Sequence, residues 1–393
     1  MSKVVDASDR ARTLRAQHST KNFLPPDALR RRTAPHPFDE RPFLAIWELT
    51  QACDLACVHC RACATPTRDL LELSTDEGFA LLDRIAAMGT SLMVFTGGDP
   101  AKRSDLVALV EHGTHAGLTM AVTPSGTGLM TFALLRELRD AGMRRVAISI
   151  DGPDAATHDA FRRVEGSFEH CLRILLEAKT LGIERQVNTT LGGHNLRALS
   201  TMSSLVAETG AVLWSVFVVV PTGRATPSLL LGPRALEAAL VELAEIAARV
   251  PFDVKTTAAP HFRRVQLEHH VRQAAGVLLD VDADGQVRGP RGINDGSGIL
   301  FVSHRGDIYP SGFLPIRAGN VRTEDVIDVY RTSAVFRILR DADSLGGKCG
   351  VCPFGRVCGG SRARAYAMTG EMTASDPLCA YEPREWRDER HSV

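Results

Sequence analysis

From Pro42 onward, short apolar runs alternate with longer stretches whose apolar residues recur every three or four positions. The first run, 43–49 (FLAIWEL), reads as a strand rich in β-formers. Ser74-Thr75-Asp76-Glu77 then has the form of a capping box, and Phe79, Leu82, Ile85 and Met88 follow at helical spacing up to a stop at Gly89. The pattern repeats. Strands are predicted at 92–95 (LMVF, followed by Gly97-Gly98), 118–123, 145–150, 186–190 and 211–220. Helices are predicted from a Ser104 cap onward, over about 130–142, as one long element over about 155–181, and from about 195. Six strand-then-helix units imply parallel strands joined by right-handed crossovers. The predicted class is therefore α/β, an open or partial (β/α)6 barrel, with its chemistry at the carboxyl ends of the strands.

The rhythm changes after about residue 222. A helix at 234–249 still belongs with the barrel, and 252–275 is expected to cover its edge. The segment from about 297 reads as a hairpin with Arg305-Gly306 in its turn, and 345–385 is rich in Gly and Cys, a small cluster-binding extension whose shape metal would dictate. The expected organisation is a mobile arm at 1–38, the barrel at 39–250, a linking segment at 251–296 and the Cys-rich domain at 297–393.

Composition narrows the partners. Lys plus Arg and Asp plus Glu number 46 each, so no bulk charge draws the chain to nucleic acid or to a membrane surface. No apolar run approaches the ~18 residues of a membrane span, and the N-terminus lacks an apolar signal region. A soluble cytoplasmic protein is expected. Eight of its nine cysteines fall in two tight groups, and clustered thiols without a secretory signal point to metal rather than to disulfides.

The first group is Cys53, Cys57 and Cys60, spaced C-x3-C-x2-C directly after the first strand. Three thiolates on a four-iron cube leave one iron free to chelate the amino and carboxylate groups of S-adenosylmethionine. A zinc site completed by His59 or Cys63, or an ordinary ferredoxin-like cluster, also fits these residue types. With the Gly97-Gly98-Asp99-Pro100 turn after the second strand, the chain resembles the radical S-adenosylmethionine superfamily over roughly 42–385, and within it the branch with a C-terminal SPASM or twitch extension. The resemblance implies that Gly97, Gly98 and Asp99 approach the cofactor's amino group, with aspartate where the family carries glutamate. It places Ser125 at a polar-Gly turn, Ser149 and Asp151 near the ribose, Arg162 toward the carboxylate, and Asn188 as a further polar contact. Read singly, the Gly pair is also a tight turn, Asp151 a helix cap and Arg162 a solvated helix residue.

The second group is Cys349, Cys352, Cys358 and Cys379. The resemblance implies one auxiliary [4Fe–4S] cluster here, a zinc ribbon being the alternative for four thiolates. Ser311 and Ser361 stand where a second auxiliary cluster would use cysteine. Cys171 has the setting of a buried small hydrophobe, and Cys63 that of a structural residue or a proton donor.

The tail, together with 221–225, 256–264 and 303–322, most resembles the haem-biosynthesis branch, which acts on porphyrin propionates, although Ala258, Ser311 and Ser361 replace cysteines usual there. Arg263, Arg264, Arg362 and Arg364 are candidate carboxylate clamps, and His261 a candidate ligand or proton donor. The expected activity is hydrogen abstraction from a carboxylate-bearing small molecule such as a tetrapyrrole, with flavodoxin or ferredoxin as electron donor. Maturation of a ribosomally made peptide is the alternative, and an iron–sulfur electron-transfer or structural protein is the alternative of another class.

Overall fold

In the computed structural model the described residues are 37–273, 279–282, 285–289 and 292–386, so the arm expected at 1–38 lies almost wholly outside them. The alternation read from the sequence is present. It runs β1 (Leu44–Thr50), α1 (Thr75–Ala87), β2 (Leu92–Gly97), α2 (Leu106–His115), β3 (Thr119–Val122), α3 (Phe132–Asp140), β4 (Arg145–Ser149), α4 (Ala155–Arg162), α5 (Ser167–Thr180), β5 (Glu184–Leu191), α6 (Leu199–Thr209), β6 (Leu213–Val218) and α7 (Pro233–Ala247). The expected capping box is formed at α1: Ser74 accepts from the Glu77 N–H, and Glu77 accepts from the Ser74 N–H.

Three elements differ from expectation for physical reasons. Ser104 does not cap α2; Asp105 takes that position, and its carboxylate is occupied by Arg103 and Thr75. The long helix at 155–181 is broken in two. Arg163 and Gly166 adopt φ of 58° and 78°, and the Asp159 carboxylate accepts from Gly166 N, Ser167 Oγ and Phe168 N, restarting the helix as α5. The segment expected only to cover an edge supplies β7 (Asp253–Thr257), parallel to β6, before α8 (His261–Gln273).

The C-terminal region returns to the other edge. β8 (Ile299–Val302) pairs parallel with β1, and β9 (Asp307–Tyr309) and β10 (Gly319–Asn320) continue antiparallel through the expected hairpin. Among the described residues the sheet order is β10-β9-β8-β1-β2-β3-β4-β5-β6-β7, so the barrel stays open. Short helices α9 (Val326–Thr332), α10 (Ala334–Arg340), α11 (Gly347–Gly350) and α12 (Arg362–Thr369) complete the chain.

One continuous apolar core lies between the sheet and its helices, with Trp47, Phe95, Met93, Leu82 and Ile85 fully enclosed. Each such side chain contributes about 1.5–3 kcal/mol by leaving water. Polar ties fasten the returning segment: Arg322 pairs with Glu77 at the start of α1, and Glu48 of β1, which also pairs with Arg61 of the cysteine loop (2.7 Å), meets His304 Nδ1 at 2.8 Å. No described helix is long and apolar enough to cross a membrane.

Candidate active site

The loop carrying Cys53, Cys57 and Cys60 leaves the carboxyl end of β1 and is closed at its base by backbone bonds, Cys53 N to Thr65 O (2.8 Å) and Thr65 N to Gln51 O (3.0 Å). It is then stitched to three neighbours along the rim. Gly98 N and Asp99 N donate to Thr50 O and Ala52 O, Val58 N donates to Phe161 O at the end of α4, and Arg224 N after β6 donates to Cys60 O. A Cβ on Gly97 would lie 2.3 Å from Thr50 O, and one on Gly98 2.3 Å from Ala52 O. The glycine pair is thus required by the chain's own cysteine loop, which it seats against the end of β2.

Cys53 and Cys57 are buried, Cys60 packs against them half-buried, and Cys63, at φ 49°, is exposed. Burial pushes the Cys53 and Cys57 thiols up; the Leu55 N–H at Cys53 and the Arg162 cation at Cys57 oppose it. Asp99 is 1% exposed, and its carboxylate accepts from Ser125 Oγ (2.6 Å), Thr127 Oγ1 (2.8 Å) and Ala101 N (3.1 Å). Thr127 escaped the sequence reading, because only folding brings it to Asp99. A hydroxyl that donates to a carboxylate keeps its lone pairs for accepting; Thr127 Oγ1, buried, already accepts from Leu129 N (3.2 Å), so Ser125 is the one poised as an acceptor.

Asp151, at the end of β4, is fully buried. It accepts from Arg162 Nε (2.6 Å) and Thr190 N (2.6 Å), while Arg162 Nη1 reaches Cys57 Sγ at 3.8 Å. Burial alone would raise the Asp151 carboxyl, but the Arg162 charge together with His59, His158 and the Thr190 N–H outweighs it and holds the group at about 2; burial would likewise lower Arg162, and Asp151 and Cys57 raise it instead. Asn188 sits beside Ser149 in register across β4 and β5, and its Oδ1 accepts from Gln186 Nε2 (2.7 Å). His59 stacks on Phe161 (4.4 Å), whose other neighbour is His194 (3.9 Å). Cys171 is buried behind this site with its thiol pushed up to about 12, first by burial, as expected of a small hydrophobe.

The depressed Asp151 gives stability that is complete above about pH 4 and is lost as the pH falls toward 2. Arg162→Gln removes the counter-ion and leaves burial to raise the carboxyl. The expected deficit is about 3–5 kcal/mol at neutral pH. It should shrink by pH 4, where the variant's Asp151 has become neutral while the wild type's remains charged. Denaturant unfolding of the metal-free chain at the two pH values checks this; an equal deficit at both would remove the ion pair as its cause.

The second thiol group lines one pocket of about 360 Å³, open mouth included, with His261, Arg264 and Tyr381. Burial pushes Cys352 and Cys358 up to about 12. It would do the same at Cys379, but His261 and Lys348 draw that thiol below its usual range. Gly359 and Gly360, at φ 66° and 65°, turn the chain between Cys358 and α12. No three His, Cys, Asp or Glu side chains among the described residues gather tightly enough for a single metal ion. A four-iron cube takes one thiolate per iron, so its ligands stand apart, and thiol-only sets of three and four suit it.

The four arginines read as carboxylate clamps are committed elsewhere. Arg263 donates to Ile293 O and Val357 O, and Arg264 pairs with Glu237 and Glu268. Arg362 donates to Met372 O and Ala374 O, and Arg364 pairs with Asp376 and donates to Ala258 O. Ser361 caps α12 and Ser311 accepts from Phe313 N, so both serines have backbone roles.

Residues 47–199 match the model of the Radical SAM superfamily. The chain is 38% identical over 342 residues to the AdoMet-dependent heme synthase of Methanosarcina barkeri, covering 87% of this chain and 97% of that one. It is 40% identical over 343 residues to the enzyme of the same name from Nitratidesulfovibrio vulgaris, covering 87% and 93%. Among solved structures, Streptococcus suis SuiB bound to S-adenosylmethionine superposes with a TM-score of 0.69 at 14% identity, over 97% of this chain and 84% of that one, a likeness of fold.

Proposed function

The chain belongs to the radical S-adenosylmethionine superfamily, and we propose that it converts propionate side chains of an iron porphyrin to vinyl groups by oxidative decarboxylation. It is an enzyme of the haem-biosynthesis branch. What carries the substrate assignment is the likeness to haem synthases along nearly the whole chain.

In this reading Cys53, Cys57 and Cys60 would hold the family's [4Fe–4S] cluster, and Cys349, Cys352, Cys358 and Cys379 would hold one auxiliary [4Fe–4S] cluster able to accept one electron. The first cluster, when present, supplies the electron that splits S-adenosylmethionine into methionine and a 5′-deoxyadenosyl radical able to take a hydrogen atom. The protein's own groups bind and orient. Gly97 and Gly98 seat the cysteine loop, and Asp99, held by Thr127, aims the Ser125 hydroxyl so that its lone pairs receive the cofactor's ammonium. Arg162, fixed by Asp151 against Cys57, presents positive charge to the cofactor's carboxylate. Ser149 and Asn188, side by side at the rim, meet the ribose hydroxyls. The domain division at 1–38, 39–250, 251–296 and 297–393 belongs to the same proposal, as does an external flavodoxin or ferredoxin as first electron donor.

Each propionate that becomes vinyl loses a hydrogen atom, one CO2 and one electron, which balances the electron consumed in the cleavage. Anaerobic protein reconstituted with iron and sulfide, reduced, and given S-adenosylmethionine with iron coproporphyrin III is expected to yield 5′-deoxyadenosine, CO2 and a vinyl-bearing porphyrin. Cleavage of the cofactor with the porphyrin unchanged would sink the substrate assignment, and a precursor peptide that raised turnover would replace it.

A further inference from the structure

Arg224 differs from the arginines described above. It lies on the loop after β6, and its Nε and Nη2 are buried from solvent with no hydrogen-bond partner. The loop is clamped in place: Gly223 has φ 63°, a Cβ there would lie 2.3 Å from Arg61 O and 2.4 Å from Cys60 O, and Arg224 N donates to Cys60 O at 2.9 Å. The side chain therefore starts from a backbone fixed to the third cysteine. Its charge is felt by the neighbouring His59 ring, whose Nδ1 is also buried without a partner. Arg224 as a whole is half-buried, but enclosing two guanidinium nitrogens without an acceptor is unfavourable, and a fold that holds them so beside the cysteine loop leaves them for an anion.

We infer that Arg224 receives a carboxylate of the porphyrin substrate, through the planar pair of donors that fits a carboxylate edge. This rests on the decarboxylase reading above and adds to it the group that recognises the propionate. The cofactor's carboxylate is the other source of the same chemistry. That carboxylate would be held with the cluster of the three thiolates, on the side where Arg162 reaches Cys57 Sγ at 3.8 Å. Arg224 meets the loop at the Cys60 carbonyl instead, and its donors await a second carboxylate.

The test uses reconstituted full-length protein, wild type and Arg224→Gln, with Arg224→Lys as the charge-retaining variant. Three readouts are taken: iron content, affinity for S-adenosylmethionine, and affinity for iron coproporphyrin III and for its tetramethyl ester. Arg224→Gln is expected to weaken iron coproporphyrin III binding roughly 10- to 100-fold, the loss of hydrogen bonds to a charged group. Arg224→Lys should recover part of it. Iron content and S-adenosylmethionine affinity should hold, and the ester should bind both proteins alike. Unchanged porphyrin affinity, equal loss for acid and ester, or a loss confined to S-adenosylmethionine would each overturn the assignment while leaving the decarboxylase reading standing. Failure of the wild type to bind the porphyrin at all would remove both.

Discussion

Cys53→Ala is expected to abolish 5′-deoxyadenosine formation altogether while retaining about four of the about eight irons that two cubane clusters would hold. The expectation follows from how the loop is built. Its base is closed by backbone bonds between Gln51, Cys53 and Thr65, and its attachments to Gly98, Asp99, Phe161 and Arg224 are backbone bonds too. Removing one sulfur therefore leaves the loop's course intact. The side chain itself gives up a contact in which its Sγ accepts from Leu55 N at 3.3 Å and its interaction with the Ser125 hydroxyl. What is lost is one corner of a three-thiolate grip, and two thiolates do not retain a cube whose remaining iron must stay open for the cofactor. The auxiliary thiols come from a different part of the chain and line their own pocket, so their irons should stay. Cys63→Ala is the matched control, since that thiol is exposed. Iron counting and product analysis on both variants decide the matter; a wild-type yield of 5′-deoxyadenosine from Cys53→Ala would detach this loop from the chemistry.

The parts of the fold legible in the sequence were those written in local periodicity. Strands such as β2 and β6 bury one face and at least half-bury the other, and so read as nearly continuous apolar runs, and helices such as α1 carry their own cap. β7 was hidden because it is an edge strand of sequence DVKTT with no apolar run, and its pairing with β6 is visible only once the sheet exists. The pairing of β8 with β1 joins segments some 250 residues apart, which no periodic signal reports. The helix break at Arg163–Gly166 depends on one carboxylate, Asp159, that reads from the sequence as an ordinary surface residue. The cysteine spacing was legible because ligation by a short loop constrains spacing directly. The arginines were not, since each partner of Arg264, Arg362 and Arg364 is chosen by tertiary contact. For the same reason a guanidinium left without partners, as at Arg224, can be found only in the folded chain.

Asp376→Ala is expected to lower the stability of the chain by about 3–5 kcal/mol and to strip the irons of the auxiliary site with it. Asp376 is 0% exposed, and its carboxylate accepts from Arg364 Nε (3.0 Å) and Nη2 (2.6 Å), Ser361 N (2.7 Å) and Leu378 N (3.0 Å), with His261 Nε2 at 3.2 Å. Arg364 is itself 0% exposed. Deleting the carboxylate therefore leaves a guanidinium and an imidazole enclosed without their anion, which is far worse than never having buried the set. The same carboxylate fixes the start of α12 through Ser361 and the approach to Cys379 through Leu378, so it sets the spacing between two of the segments that carry the thiols. Because a metal centre contributes its binding energy to the folded state, loosening that spacing costs iron and stability together. Ser361 N and Leu378 N use different oxygens of the carboxylate, so Asp376→Asn keeps an acceptor for only one of the two backbone N–H groups and removes the charge; it should fall between the alanine variant and the wild type. Thermal unfolding and iron content, measured on the same anaerobic samples, read both effects. A variant with wild-type stability and a full complement of iron would show that the carboxylate is a bystander to the second thiol group, and that Arg364 finds its counter-charge elsewhere.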